Sequence, residues 1–172
     1  MPLLRRGEIV TDPWVRVGPD EPLPGDRGAI VPYARWSAER ESLLRRNAPL
    51  GVRVPNTIAA SALAPDLAYF DVVALEFPKF TDGRAYSQAR LLRERYGYRG
   101  ELRATGQVLR DQLLFMKRCG FDSFEIAAAC PAEAWCAALG EISVFYQPAA
   151  DARTPLSAIR RAETTPAIEP VR

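Results

Sequence analysis

The stretch from Phe70 to Ala127 constrains the fold most, because apolar runs of strand length alternate there with segments whose apolar residues recur at helical spacing. It opens with Phe70–Phe77, a run in which both faces of a strand are apolar. A turn over Pro78–Gly83, a helix, a strand, a second helix and a third strand follow. Parallel strands are usually covered on both faces and joined by helices. These two β-α-β units therefore predict an α/β fold with a largely parallel β-sheet.

The remaining elements extend this pattern in both directions. We predict strands over Ala29–Tyr33, Gly51–Val54, Phe70–Phe77, Glu101–Thr105, Phe121–Ala127 and Ile142–Tyr146, and helices over Ser37–Asn47, Arg84–Tyr96, Gln107–Cys119 and from Pro131 to near Gly140. A short N-terminal hairpin is predicted from Gly7–Val10 and Val15–Val17. The repeating β-α units suit either an open doubly wound sheet or a partial β/α barrel, and the sequence leaves both open.

The pattern predicts a single domain followed by a tail. Residues 1–147 carry all the predicted helices and strands, which form one α/β domain centred on residues 70–127. Residues 148–172 contain no aromatic residue, and prolines interrupt a mostly polar sequence. We expect this tail to be mostly disordered, because such a segment buries too little apolar surface to offset the entropy of ordering it.

Composition argues against several kinds of partner. The chain of 172 residues has a net charge of +2, so its charge gives no reason to expect a nucleic acid. No apolar run reaches the length of a membrane-spanning helix, and we expect no membrane partner. The first residues, MPLLRRGEIVTDPW, lack the apolar centre of a signal peptide, which predicts a cytoplasmic protein.

Two residue types limit the chemistry. Histidine is absent, which removes a histidine general base, a Ser–His–Asp triad and the commonest transition-metal ligand. Cys119, Cys130 and Cys136 match neither zinc nor iron–sulfur spacing, so we interpret all three as reduced structural thiols. The chain also lacks a flavin or nicotinamide fingerprint, and we identify no cofactor and no metal site in the sequence.

Two loops carry the candidate site. Ligands of parallel α/β sheets bind beyond the carboxyl ends of the strands, and Lys79–Arg84 and Thr105–Gln107 each follow a predicted strand. Each loop joins a glycine and a hydroxyl to the start of a helix, where exposed amides favour sulfate, sulfite or phosphate groups. We therefore predict an anion-binding site formed by Lys79, Thr81, Gly83, Arg84, Arg103, Thr105, Gly106 and Arg110.

Asp82 and Glu101 are the candidate catalytic residues, because a carboxylate near such a site can transfer a proton. Each has a structural alternative. Asp82 also fits the cap of the helix that follows it. Glu101 also fits an ion pair with Arg103, two residues on along the same strand face. The sequence leaves these roles open.

The central stretch resembles a known family. The segments FPKF-TDGR-x-YSQARLLR, Y-x-GELRA-x-G-x-VLRDQ and RCGFD-x-F are similar to the signature of the bacterial family called domain of unknown function 934 (DUF934). The early GEIVTDPW fits more loosely, and the C-terminal tail lies outside the resemblance. No established mechanism comes with this family, so no catalytic residue is carried over from it.

The resemblance implies a cytoplasmic role in sulfur assimilation and cysteine biosynthesis. Proteins of this family are commonly encoded beside assimilatory sulfite reductase and carry the provisional label of an oxidoreductase involved in sulfite reduction. We favour an accessory protein that binds a small anionic ligand or the sulfite reductase. One alternative is a lyase, isomerase or transferase acting on a phosphorylated or sulfur-containing metabolite. Another is a structural or regulatory partner that docks through its tail, and whether the chain is itself an enzyme stays open.

Overall fold

A computed structural model describes residues 2–127, 131–151 and 153–164. Its strands are β1 Leu3–Arg5, β2 Glu8–Val10, β3 Val15–Arg16, β4 Ala29–Pro32, β5 Leu50–Val54, β6 Val72–Phe77, β7 Glu101–Gly106 and β8 Ser123–Glu125. Its α-helices are α1 Tyr33–Leu44, α2 Ala60–Leu63, α3 Arg84–Arg90, α4 Leu113–Arg118, α5 Ala132–Ala138 and α6 Leu156–Thr164. Within the described residues the strands form one sheet, in the order β2-β1-β8-β7-β6-β5-β4-β3.

Strands β3 to β8 lie side by side in chain order and are all parallel. Because β-α-β crossovers are right-handed, a sheet built in one direction places its connecting helices on one face. The main core accordingly includes α3, α4 and one face of β6 and β7, where Val73, Leu75 and Leu102 are fully buried. A doubly wound sheet would instead reverse its strand order, so the partial barrel is the alternative that the structure adopts.

The other face forms the concave inside of a half-barrel. β2 and β3 stand at opposite ends of the sheet, yet only residues 11–14 connect Val10 with Val15. Successive Cα atoms are ~3.8 Å apart, so this connection reaches ~19 Å at most. The strand spacings of a flat eight-stranded sheet would sum to ~34 Å. The sheet therefore has to curl, and residues 11–14, which we call the strap, cross its open side.

The strap is anchored on the inner face at two points. Trp14 packs on a small apolar cluster that includes Ile30 and Val72. Gly28 allows this close approach, because a Cβ there would lie only 2.7 Å from the Trp14 ring. At the other point, Asp12 accepts a hydrogen bond from the guanidinium of a strand arginine, Arg103, at 2.7 Å. Apolar packing and a charged contact thus hold the curled sheet together.

The predicted α/β fold with a largely parallel sheet is confirmed, with differences in its parts. The predicted hairpin of Gly7–Val10 with Val15–Val17 does not form. β2 pairs antiparallel with β1, whereas Val15–Arg16 pairs in parallel with β4 at the far end of the sheet. Ile142–Tyr146, predicted as a strand, is irregular, and Phe145 is its only buried residue. The helix predicted from Ser37 already begins at Tyr33. Of the segment Gln107–Cys119, which was predicted as one helix, only α4 is α-helical.

Of the tail that we predicted to be disordered, the structure describes residues 148–151 and 153–164. In that part α6 forms, which the sequence analysis did not predict, and the N–H of Leu156 donates to the Phe145 carbonyl at 2.7 Å. Residue 152 and residues 165–172 lie outside the described residues. None of the helices in the described part of the chain is long and apolar enough to cross a membrane.

Candidate functional site

The carboxyl ends of β5, β6 and β7 meet around a shallow depression of about 300 Å³. Arg53 of β5 and Glu76 of β6 form an ion pair beside it, with Nε and Oε1 3.1 Å apart and both side chains about one-third exposed. Both residues alternate along their strands with side chains buried in the main core, such as Val54 and Leu75, and therefore face the inside of the half-barrel. An ion pair this exposed stabilises the fold little, so a ligand can open it at small cost.

The loop after β6 holds half of the predicted anion-binding residues. Asp82 accepts two hydrogen bonds from the Arg84 guanidinium, at 3.0 and 2.6 Å, and one from the Arg84 N–H at 3.3 Å. The hydrogen bond from Arg84 lowers the pKa of Asp82 below its ordinary range, and Asp82 in turn raises the pKa of Arg84. Lys79, Thr81 and Gly83 are exposed beside this pair. Asp82 is therefore ionised and paired with Arg84 just before α3, whose N-cap is Gly83.

Replacing Asp82 by asparagine should change stability in a pH-dependent way. The pKa of Asp82 lies below 3.8 in the folded chain, so its pairing stabilises the fold fully above about pH 5 and less as the pH falls toward the folded pKa. We expect Asp82→Asn to lower Tm by a constant small amount from about pH 8 to about pH 5, and the difference to shrink in more acidic buffer. Thermal unfolding across this range measures it, with the exposed Asp26→Asn as a control. A difference that grows on acidification would contradict this pairing.

A buried amide lies behind the same loop. Asn56, which follows β5, is buried, and its Nδ2 has no hydrogen-bond partner among the described residues. It contributes, after Arg84, to the low pKa of Asp82. Gln88 of α3 holds the chain around Asn56 by donating to the carbonyls of Pro55 and Ile58, at 3.1 and 2.6 Å. Asn56 is thus held behind the loop, where its amide supports the ionised form of Asp82.

The second predicted loop, Thr105–Gln107, contacts the first directly. The N–H of Phe80 donates to Oε1 of Gln107 at 3.0 Å. The N–H of Gln107 in turn donates to the Phe77 carbonyl at 2.8 Å. Gly106, between them, has a φ of +92° and presses against the Phe77 backbone. The structure thus brings the two predicted loops together at one edge of the sheet.

Thr105 and Arg110, also predicted to bind an anion, contact other parts of the protein. Thr105 is buried, and its hydroxyl donates to Glu125 at 2.6 Å, on the inner face of the sheet. Arg110 donates to the Ala134 carbonyl at 2.9 Å and pairs with Glu141. Their polar groups already have partners, so an anion would have to displace a protein contact to reach them.

The side chain of Arg103 is completely buried on the inner face. Its guanidinium lies 2.7 Å from Asp12 of the strap, 2.9 Å from Glu101 and 3.8 Å from Glu125 of β8. Burial acts to lower the pKa of Arg103, but the hydrogen bond to Asp12 and the charge of Glu101 outweigh it and the pKa is raised. Glu101 also accepts a hydrogen bond from the Ser123 hydroxyl at 2.6 Å. Arg103 is therefore the centre of a buried ionic network.

Two further arginines complete this network from its rim. Arg5 lies 3.5 Å from Glu101, and Arg16 pairs with Glu125. Arg16 belongs to β3 and Glu125 to β8, so this pair joins strands from distant parts of the sheet order. Together with Arg103, these arginines balance the carboxylates of Asp12, Glu101 and Glu125. The network is closed and nearly neutral, and its contacts hold the curl of the sheet.

The structure separates two sets that the sequence analysis placed in one site. Arg103 and Glu101 lie in the inner network, whereas Asp82 and Arg84 lie at the carboxyl edge, and no ion pair or hydrogen bond between described residues joins them. The prediction missed Asp12, which is brought in by the strap. The sequence did contain a signal for the strand residues of the inner network, because polar side chains occupy alternate positions of β7 and β8, whose other face is apolar. These positions are 101, 103, 105, 123 and 125.

An exposed aromatic surface borders the carboxyl edge. Phe80 and Phe115 are 48% and 57% exposed. Tyr86 connects them, because its ring lies 4.8 Å from that of Phe115 and its hydroxyl donates to Gln112 at 3.1 Å. Gln112 donates in turn to the Phe80 carbonyl at 3.3 Å. We call Phe80, Tyr86 and Phe115 the aromatic edge.

The described cysteines have no reactive surroundings. Burial raises the pKa of the Cys119 thiol to about 11, which disfavours the thiolate that redox and metal chemistry require. Cys136 is a free thiol, and Cys130 lies outside the described residues. In the part of the chain that the structure describes, no three His, Cys, Asp or Glu side chains are grouped to hold a metal ion.

These observations define a small β/α half-barrel domain with an ionic network on its inner face and a polar site at the carboxyl edge of its strands. The chain belongs to the family described as bacterial protein of unknown function (DUF934), whose model matches residues 51–157. That range contains β5 except its first residue, β6 to β8 and both carboxyl-edge loops, but not the strap. No curated protein and no solved structure matches the chain.

Proposed function

We propose that the protein is a cytoplasmic accessory protein of assimilatory sulfite reduction, which serves cysteine biosynthesis by contacting the sulfite reductase. The sulfur-assimilation context comes from the family resemblance. The observation that carries the accessory role is that the carboxylates at the carboxyl edge and in the inner network, including the two predicted catalytic residues, are paired with arginine. These pairs are Glu76–Arg53, Asp82–Arg84, Glu101–Arg103 and Glu125–Arg16.

Such pairing is unfavourable for acid–base catalysis. A general base or acid works best when its pKa lies near the operating pH, and the hydrogen bond from Arg84 moves the pKa of Asp82 away from it. Glu101, the other predicted catalytic residue, is 8% exposed and bound by Arg103. A lyase, isomerase or transferase would need such a group to be free. The pairing therefore favours the accessory protein over the stand-alone enzyme.

The aromatic edge is the surface that we assign to the reductase. Exposed aromatic side chains contribute most where two proteins meet, and a polar rim around an apolar centre is typical of interfaces. The Asp82–Arg84 pair, close to Phe80 in the chain, supplies part of such a rim.

The double variant Phe80→Ser, Phe115→Ser should bind assimilatory sulfite reductase at least about tenfold more weakly than wild type, because it removes two aromatic contacts at once. Co-purification and a binding titration with the purified reductase measure the loss. Ile9→Ser is the matched control, since Ile9 is 40% exposed on β2. This control should bind like wild type.

Failure of the wild-type chain to bind the reductase would overturn the proposed function. Unchanged binding by the double variant would remove the aromatic edge from the interface but leave the partner in place. Turnover of a sulfur-containing or phosphorylated metabolite by the purified chain, lost in Asp82→Asn, would instead support the enzyme. These outcomes separate the partner, the contact surface and the chemistry.

A further inference from the structure

A second depression lies at the opposite ends of the strands from the carboxyl-edge site. It has a volume of about 370 Å³ and lies where β7 and β8 begin, beside the end of β1. Arg99 and Phe121 come from the segments that lead into β7 and β8, and Lys117 comes from the last turn of α4. We call it the amino-edge pocket.

Positive charge in this pocket is not balanced. Arg5 is partly neutralised by Glu101, 3.5 Å away. Arg6, Arg99 and Lys117 also line it, and none of them has an ion-pair partner among the described residues. This contrasts with the carboxyl edge, where the arginines are paired with carboxylates.

The carboxylates that line the pocket are already bound elsewhere. Glu101 is held by Arg103 and by the Ser123 hydroxyl. Asp122 pairs with Arg93 and accepts the Leu102 N–H at 2.9 Å. The two acids therefore do not neutralise the free cations, and the pocket favours an anionic ligand.

Arg6 is held at the pocket in an unfavourable backbone conformation. Its φ is +53°, in the left-handed region, and Gly7 follows with a φ of +86° in the tight turn between β1 and β2. Glycine or asparagine normally occupies such a position, because a larger side chain strains the backbone there. Strain of this kind is often found where a side chain serves a ligand. Here it places a free cation on the pocket.

The size and lining of the pocket indicate more than a bare ion. Phe121, Phe124 and Leu139 form its apolar floor, and each is at most 8% exposed. Since a water molecule takes up ~30 Å³ in the liquid, a pocket of about 370 Å³ has room for roughly a dozen water molecules. A tetrahedral oxyanion alone would leave most of that space unfilled.

We propose that the amino-edge pocket binds a dianionic oxyanion carried by a small molecule with an apolar body, of which a phosphate monoester is the simplest case. Arg6, Arg99 and Lys117 hold the oxyanion by charge-assisted hydrogen bonds, and the body fills the rest of the depression above its apolar floor. The site shares no residue with the aromatic edge and does not depend on docking of the reductase there.

Calorimetric titration of the full chain at constant ionic strength tests this with three probes. Phenyl phosphate carries both the oxyanion and an apolar body, inorganic phosphate carries only the first, and benzoate offers an aromatic ring with a single charge. We expect phenyl phosphate to bind most tightly. Equal affinity for inorganic phosphate would assign the site to the free ion, and a wild-type chain that binds neither phosphate overturns the proposal.

Variants that remove charge test whether phenyl phosphate binds in the amino-edge pocket. The double change Arg99→Gln, Lys117→Gln removes two cations and should weaken phenyl phosphate binding by about a hundredfold, since each hydrogen bond from a cation contributes roughly tenfold. Arg27→Gln, an exposed arginine outside the pocket, should bind like wild type. Equal weakening in this control would show non-specific attraction and overturn the site.

Arg6→Gly separates binding from folding. Glycine removes the strain at the positive φ, so the ligand-free variant should have a Tm equal to or above that of wild type. The same variant should bind phenyl phosphate about tenfold more weakly. A purely structural role for Arg6 predicts unchanged affinity, and that result would remove Arg6 from the site.

Discussion

An Arg103→Ala variant is expected to lose roughly 3–5 kcal/mol of folding stability. The side chain is fully buried, and its removal deprives Asp12, Glu101 and Glu125 of the cation that they share. Removing one partner of a buried ion pair is costly, because the remaining charges stay desolvated without compensation. Asp12 belongs to the strap, so the same change weakens the segment that crosses the open side of the half-barrel.

Chemical and thermal unfolding measure this effect. A loss of this size lowers Tm by roughly 10 °C in a domain of this length. Arg90→Ala is the matched control, because Arg90 forms an exposed pair with Glu94 one helical turn away, worth about 0.5 kcal/mol or less. Arg103→Lys should fall between them, since an ammonium keeps the charge but loses the planar fork. Equal stability of Arg103→Ala and Arg90→Ala would mean that the network does not hold the fold.

The parallel sheet could be predicted from the sequence because its signal is local. The run Phe70–Phe77 contains β6, and the predicted strand Glu101–Thr105 nearly matches β7. Both are fixed by apolar residues within a few positions of one another. Whether the sheet is doubly wound or curls into a half-barrel has no local signal, because it depends on which strands become neighbours. The parallel pairing of β3 with β4 and the short reach of the strap decide it, and neither shows in the residue pattern.

The sequence likewise predicted the place of the candidate site but not the partners of its charged residues. Parallel strands end at one edge, so the meeting of Lys79–Arg84 with Thr105–Gln107 follows from the fold class. The partners of the charged residues do not follow from it. Asp12 is 91 positions from Arg103, and Arg16 is 109 positions from Glu125. No spacing rule links residues that far apart, which is why Arg103 and Glu101 were assigned to the carboxyl edge.

Gly106→Ala is expected to destabilise the domain by about 2–4 kcal/mol, from two effects that act together. Gly106 has a φ of +92°, where a side chain is strained, and a Cβ there would lie 2.5 Å from the Phe77 carbonyl oxygen. That oxygen already accepts the Gln107 N–H at 2.8 Å. Alanine therefore forces the ends of β6 and β7 apart.

Two other glycines separate these effects in the same unfolding experiment. Gly97 has a φ of +64° but open space around it, so Gly97→Ala should show the backbone strain alone, about 1 kcal/mol. Gly25 has neither feature, and Gly25→Ala should be neutral or slightly stabilising. If Gly106→Ala lowers the free energy of unfolding no more than Gly97→Ala does, the Phe77 backbone moves to accept the Cβ and the edge of the sheet is not rigid. A larger cost should coincide with weaker binding of sulfite reductase, because Gln107 fixes the Phe80 N–H at 3.0 Å and so places the aromatic edge.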